Sequence, residues 1–371
     1  MTKVGILSMQ RIQNYGSFLQ AYGLKHILED LGCEVQFVDY HPGETLIPAD
    51  GGKGFVRKIS KVIETFKYSA PLKEKIRFLK YKKNYAVNYY PYLGITEKYN
   101  YCPQVDVLVI GSDEVFNCVQ NNTNVGFSPE LFGQGNRAKK LISYAASFGN
   151  TTIKKLEQHD VKDKIAEWLK CFDAISVRDK NSGEIVKNLT GIEPEYNLDP
   201  VLMYDFIGKC KDIPKHVPDK KYMILYGYSG RFSKAECKAI RAFADSKGLK
   251  VFCIGGVQDC CDKFIDVTPF EVIAYFQHAA YVVTDTFHGT ILPVITHRKF
   301  VSVVRESGYG NSQKLEDLLE RLNLIHRKLR LFEKLNDEID ASIDYRSVDD
   351  IIRDQREFMR NFLMRSLEIE A

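Results

Sequence analysis

Tyr281-Val282-Val283-Thr284-Asp285-Thr286-Phe287-His288-Gly289-Thr290 is the stretch that decides the fold. Four β-favouring residues give way at Asp285 and Thr286 to a helical run, Phe287 to Thr296, so a buried strand feeds directly into a helix. The same grammar recurs on either side. Downstream, Phe300 to Val304 is strand-like and Ser312 to Leu324 has the apolar spacing of an amphipathic helix. Upstream, Tyr222 to Tyr226 and Val251 to Gly255 read as strands, with helices over Ala235 to Lys247 and Pro269 to His278. Strands alternating with helices of ten or more residues predict parallel sheets with crossover helices.

The alternation also begins the chain. Val4-Gly5-Ile6-Leu7 is a strand. Phe18, Leu19, Tyr22, Leu24, Ile27, Leu28 and Leu31 recur at helical spacing until Gly32, and Val35 to Val38 is the next strand. Further strands are predicted at Val105 to Ile110, Leu141 to Ala145 and Ala174 to Val177. Between about residues 51 and 100 the pattern is interrupted by a Lys- and Tyr-rich insertion with two predicted helices, Phe55 to Tyr68 and Leu72 to Tyr85. Pro214, Pro218 and the polar residues between Asp205 and Lys220 mark a domain boundary. The expected architecture is α/β, with two doubly wound, Rossmann-like domains facing a cleft: 1–210, which carries the insertion, and 211–345, followed by a C-terminal helix in 346–371.

Composition narrows the class. At 371 residues with 44% hydrophobic and 27% charged residues, the chain has ordinary globular usage and length for two domains. Nine cysteines are scattered without a C-x-x-C pair, which predicts neither a disulfide framework nor a metal site. No stretch approaches a signal-peptide core or a membrane span, and a cytoplasmic location is expected. The net charge of +4 conceals twelve Lys/Arg against three Glu between Gly51 and Lys98. That excess reads either as a solvated helical face or as peripheral contact with an anionic membrane at its inner face. Nucleic acid is not an expected partner.

In doubly wound domains ligands sit at the carboxyl ends of the strands. There the sequence places His288, beside free N–H donors at a helix start (Gly289, Thr290) that favour an anion. A histidine can deliver a proton near neutral pH; a helix-capping or core histidine is the alternative. Asp285 closes its strand, as a proton acceptor or a structural cap. Arg178 ends Ala174 to Val177, where it can fork onto an anion or pair with Asp179. Arg305 holds the corresponding place in the second domain, with Arg298 as the alternative. Ser112 and Asp113 follow a strand, and the turn Arg11 to Gly16 follows another; each is a substrate contact or plain punctuation. The chain contains no P-loop, no G-x-G-x-x-G after the first strand and no G-x-S-x-G elbow.

Taken together, these turns resemble the polysaccharide pyruvyl transferase family. The matching pieces are Asn14-Tyr15-Gly16-Ser17-Phe18-Leu19-Gln20-Ala21-Tyr22, Asp106 through Gly111-Ser112-Asp113-Glu114-Val115-Phe116-Asn117, Ile142-Ser143-Tyr144-Ala145-Ala146-Ser147-Phe148-Gly149, Ile175-Ser176-Val177-Arg178-Asp179, Leu198-Asp199-Pro200, Thr284-Asp285-Thr286-Phe287-His288-Gly289 and Gly310-Asn311-Ser312. Phe116 stands where many members carry Trp. The resemblance implies a GT-B-like fold and transfer of the pyruvyl group of phosphoenolpyruvate onto a sugar as a cyclic ketal, without a cofactor or metal. It implies His288 as general acid, Arg178 and Arg305 on the donor, and an acceptor sugar on a lipid or nucleotide carrier, with Asn14, Tyr15, Gly16, Ser112 and Asp113 as the acceptor contacts. A nucleotide-sugar glycosyltransferase and a non-catalytic glycan-binding protein are the competing readings.

Overall fold

The computed structural model describes residues 1–48, 65–305 and 312–369. The first sheet contains β1 (Lys3–Leu7), β2 (Glu34–Phe37), β3 (Val107–Asp113), β4 (Lys140–Ala146), β5 (Ser176–Val177) and β6 (Glu195–Tyr196) in the order β2-β1-β3-β4-β5-β6. The second contains β7 (Tyr222–Gly227), β8 (Lys250–Gly255), β9 (Lys263–Phe264), β10 (Tyr281–Thr284), β11 (Lys299–Val303) and β12 (Lys328–Leu329) in the order β12-β11-β10-β7-β8-β9. Every pairing is parallel. Parallel sheets covered by helices on both faces need continuous apolar strands, and β3, β4, β7 and β10 supply them. The expected pair of Rossmann-like domains is what the chain builds.

Strand order fixes where ligands can sit. The winding reverses between β1 and β3 in the first sheet and between β7 and β10 in the second. At those two points adjacent loops diverge and leave a crevice beyond the strand ends. Ser8 to Asn14 and Asp113 flank the first crevice, and Tyr228 and Asp285 flank the second.

Several details depart from the expectations. The strand expected over Ala174 to Val177 pairs regularly only at Ser176 and Val177, with Ala174 bridging Ile142. Side chains replace part of the ladder here: Ser143 Oγ donates to the Ser176 carbonyl and accepts the Ser176 amide, and Ser176 Oγ accepts from Ala145 N. Two-residue strands such as β6, β9 and β12 are too short for periodicity to reveal. The helix expected over Leu72 to Tyr85 runs to Leu93, where Gly94 ends it in the left-handed region at φ 75°. Most of the helix expected at Phe55 to Tyr68 lies outside the described residues, as do Gly310 and Asn311.

The insertion helix ties the two domains together. Tyr81, Tyr85 and Tyr89, at intervals of four, form its buried face. Tyr85 donates to the Asn14 carbonyl at 2.7 Å, and Tyr89 donates to the Val267 carbonyl at 2.8 Å, across the domain divide. Glu74 accepts the Phe264 amide at 2.9 Å. The C-terminal helix Tyr345–Leu367 begins earlier than expected, capped by Asp344, and returns to the first domain through Arg356 on the Leu202 carbonyl and Arg365 on Glu195.

Leu19 is fully buried in the helix Tyr15–Asp30, whereas Val87 is 73% exposed on the insertion helix. Leu19→Ala should therefore lower the unfolding free energy by about 2–5 kcal/mol. Val87→Ala should change it by no more than about 0.5 kcal/mol, both read from denaturant titrations.

Candidate active site

The site is organised by Asp199, a fully buried carboxylate that caps the short helix Pro200–Met203. Its Oδ1 accepts the Val201 amide at 3.0 Å. Its Oδ2 accepts from Arg178 Nη1 at 2.8 Å and Ser112 Oγ at 3.3 Å, and lies 3.4 Å from His288 Nε2. Burial pushes this carboxyl up, but His288, Arg178 and the Val201 amide outweigh burial and hold it at about 2. Arg178 also donates to Asp113 at 3.1 Å, and Asp113 accepts from Ser17 Oγ at 2.9 Å. Asp113 adopts a left-handed backbone, φ 78°, at the end of β3. That conformation is costly for a residue other than glycine and is found where a site over-determines it.

His288 reaches this cluster from the other domain. Thr286 caps its helix by accepting the Gly289 amide at 3.0 Å, fixing the turn that projects His288 across the divide. The ring lies directly over Gly16, where a Cβ would meet Nδ1 at 2.2 Å. Gly16 is thus required by proximity rather than by its backbone angles. Phe287 covers one face of the Arg178 guanidinium, 4.4 Å from ring centroid to Cζ.

A second cluster sits at the β7/β10 switch point. Asp285 is buried and lies 2.9 Å from Arg231 Nε and 3.8 Å from Arg305 Nε. Burial pushes its carboxyl up to about 6 despite both arginines. Arg305 also pairs with Glu236 at 2.6 Å and donates to the Arg231 carbonyl at 2.6 Å. The second cluster therefore sets two arginines against two carboxylates, and the first sets Arg178 and the His288 imidazole against Asp113 and Asp199.

A cleft of about 2360 Å³ opens nearby, lined by Asn14, whose side chain caps the helix at Ser17, and by Tyr228, whose ring lies 5.9 Å from the Arg231 guanidinium. The turn Ser8 to Asn14 forms its floor, the insertion helix from Phe78 to Pro91 forms one wall, and Tyr228 and Ser229 line the opposite side. A volume of this size exceeds the roughly 300–1,000 Å³ of a small-molecule site.

The sequence-predicted residues fall into three groups. His288, Arg178, Ser112, Asp113 and Gly16 converge on Asp199. Asp285 and Arg305 converge with each other at the second cluster. The remaining four serve locally: Asn14 lines the cleft but caps its own helix through Ser17; the Tyr15 hydroxyl donates to the Val267 carbonyl in the interior; the Gly289 and Thr290 amides, expected to be free for an anion, instead donate to the Thr286 hydroxyl and carbonyl that cap the helix; and the Thr290 hydroxyl is buried against Ser302 and the Thr286 carbonyl. Arg178 makes its hydrogen bonds to Asp113 and Asp199, while Asp179 accepts from Ser147 and Ser182 instead. Asp285 does not cap the helix, since Thr286 does. Asp199, Arg231 and Glu236 were not anticipated as site residues. Asp199 stood in the quoted Leu198-Asp199-Pro200, but its partners are far away in sequence and no spacing could assign them. Among the described residues, no cluster of three or more His, Cys, Asp or Glu side chains is placed to hold a metal.

A carboxyl held at about 2 stabilises the fold above its unfolded value of about 3.9, and that stabilisation is lost as pH falls through 2. Asp199→Asn should cost about 3–5 kcal/mol near neutral pH, because Arg178 is left partly uncompensated. The variant should also show a shallower loss of stability between about pH 4 and 2 than the parent, measured by denaturant unfolding across that range.

The family model for polysaccharide pyruvyl transferase matches residues 14–307. No curated protein matches the chain in sequence. In fold it is similar to S. aureus MnaA, seen in complex with UDP, at TM-score 0.53 and 11% identity, covering 100% of this chain and 98% of that one. It is also similar to a Listeria monocytogenes protein assigned as a UDP-N-acetylglucosamine 2-epimerase, at TM-score 0.50 and 12% identity, covering 99% and 96%. At such identities the likeness is one of fold, a GT-B-like pair of Rossmann domains. With its family model spanning every element from the first helix to β11, the chain belongs to the polysaccharide pyruvyl transferase family.

Proposed function

We propose that the protein transfers the pyruvyl group of phosphoenolpyruvate onto a sugar of a surface-polysaccharide precursor, forming a cyclic ketal and releasing phosphate. The observation that carries this reading is His288, held between Gly16 and Asp199 at the mouth of the first crevice, with Arg231 and Arg305 at the second. A doubly anionic donor with a nucleophilic methylene calls for a proton source and separate cations. The acceptor's carrier, lipid or nucleotide, belongs to the part of the cleft beyond the donor, and the reaction is placed in the cytoplasm.

In this mechanism His288 protonates the methylene carbon, which becomes the methyl group, and the adjacent carbon becomes oxocarbenium-like. One sugar hydroxyl forms the first C–O bond and gives up its proton, restoring the histidine. A second hydroxyl then attacks the same carbon, its C–O bond to phosphate breaks, and the phosphate leaves with the second hydroxyl proton. Asp199 balances the charge on the His288 ring while it carries the proton. Arg178 acts through Asp199 and Asp113, fixing both carboxylates. Arg231 and Arg305 lie where the donor's carboxylate and phosphate can exchange with Asp285 and Glu236. Asp285, pushed up to about 6, gives way to an entering anion more readily than an ordinary carboxylate would.

Phosphoenolpyruvate at a hundred times its Kd should raise stability by about 2.7 kcal/mol, seen as a higher unfolding midpoint. A rise with nucleotide sugars alone, with nucleotide rather than phosphate released on turnover, would instead support a glycosyltransferase. His288→Gln should keep that phosphoenolpyruvate-induced rise while pyruvyl transfer falls about 10²- to 10⁴-fold. Arg305→Gln should lose the rise itself, because it removes ground-state binding. Transfer by His288→Gln at close to the parent rate would assign the proton to another group.

A further inference from the structure

The insertion helix Leu72–Leu93 has two opposite faces, and only one is explained by packing. Its tyrosine face is buried between the domains. On the other side Leu72, Ile76, Leu79, Lys83 and Val87 follow at intervals of four, three, four and four, which is a single helical stripe. Leu72 is 59% exposed, Ile76 42% and Val87 73%. A merely solvated face would carry polar residues at these positions, and this one carries branched aliphatics.

The charges around the stripe have one sign. From Thr65 to Leu93 the chain holds seven Lys/Arg and one carboxylate, Glu74, and that carboxylate is buried. Glu74 is taken up by Arg77 at 2.8 Å and by the Phe264 amide, and Lys73 reaches it only at 3.9 Å. Lys73, Lys80 and Lys83 are exposed beside the aliphatic side chains. Exposed Phe66 extends the apolar surface at the amino-terminal end. At the other end, Leu79, Lys83, Ala86 and Val87 turn the corner into the large cleft.

We propose that this face docks on an anionic lipid surface. Ile76 and Val87 would enter the headgroup boundary, Lys73, Lys80 and Lys83 would lie among the phosphates, and the cleft mouth would then open at membrane level. Exposed aliphatic side chains flanked by lysines on one helix face are what an interfacial helix requires. A soluble polyanion would use the lysines but has no use for the aliphatic stripe. Among the described residues no helix is long and apolar enough to cross a membrane, so contact through this element is peripheral. The inference does not depend on pyruvyl transfer, and lipid binding and donor binding can each fail alone.

The test is co-sedimentation of the full chain with vesicles of phosphatidylcholine alone and of equimolar phosphatidylcholine and phosphatidylglycerol. Binding is expected to the anionic vesicles, with little to the neutral ones, and it should weaken steeply as salt rises. Each of Lys73→Gln, Lys80→Gln and Lys83→Gln should weaken it by about fivefold. Ile76→Ser combined with Val87→Ser should weaken it by about tenfold or more. Lys73→Gln and Lys80→Gln, which lie outside the cleft lining, should keep the parent's unfolding midpoint and its stabilisation by phosphoenolpyruvate, which separates lost docking from lost folding. Equal partitioning onto both vesicles, or none onto either, would overturn the proposal. Sensitivity to the lysines without sensitivity to Ile76 and Val87 would also overturn it, and would reassign the face to a soluble polyanion.

Discussion

The placing of the His288 imidazole depends on the charge of one buried carboxylate. Asp199 has no solvent to stabilise it, so it needs Arg178 from its own domain and His288 from the other. The Arg178 cation is expensive to bury without the carboxylate. The three groups therefore hold one another, and the His288 ring, in the first turn of its helix, is confined between Gly16 and Asp199, with Nε2 3.4 Å from the Asp199 carboxylate. Ser112 and the Val201 amide complete the carboxylate's hydrogen bonds, so the network leaves little freedom for the imidazole. A proton donor aimed at a carbon atom needs such constraint, because carbon offers no lone pair to guide it.

The sheets explain why this happens where it does. Each reverses its winding once, and each reversal carries a cluster of arginine and carboxylate side chains. The second domain supplies the His288 imidazole together with Arg231 and Arg305, and the first domain supplies the Asp199 carboxylate that the imidazole meets. The domains are held in register by contacts that flank the site. Tyr15 and Tyr89 both donate to the Val267 carbonyl, and Lys314 of the second domain pairs with Glu114 beside the first crevice. The insertion helix thus does structural work on its tyrosine face, while its opposite face is left for a surface.

Elements with strong periodicity were legible in the sequence. The apolar strands and the turn at Thr284 to Gly289 stand where spacing put them, because a buried parallel strand must be continuously apolar and the helix after it must be capped. His288, Arg178 and Asp285 were legible as strand-end residues for the same reason. Their partners were not. Arg178 was weighed against its neighbour Asp179, yet it reaches Asp113 and Asp199, 65 and 21 positions away, because the ends of β3 and β5 converge in space. Arg231 sits on a loop after β7 with no sequence pattern to mark it. Tyr15 and Thr290 look like contact residues in the sequence, because a turn residue and an interior one look alike until a partner is placed beside them; here their hydroxyls meet the Val267 carbonyl and the Ser302 hydroxyl.

The central claim is that His288 delivers a proton to the methylene carbon of phosphoenolpyruvate, and carbon-bound deuterium reports it most directly. In deuterated water, with phosphoenolpyruvate and a sugar acceptor, the transferred group should appear by NMR as a ketal methyl carrying a single deuterium, formed by the parent enzyme in step with phosphate release. A product that retains the vinylic methylene, or turnover that frees a nucleotide while phosphoenolpyruvate is unchanged, would contradict the account.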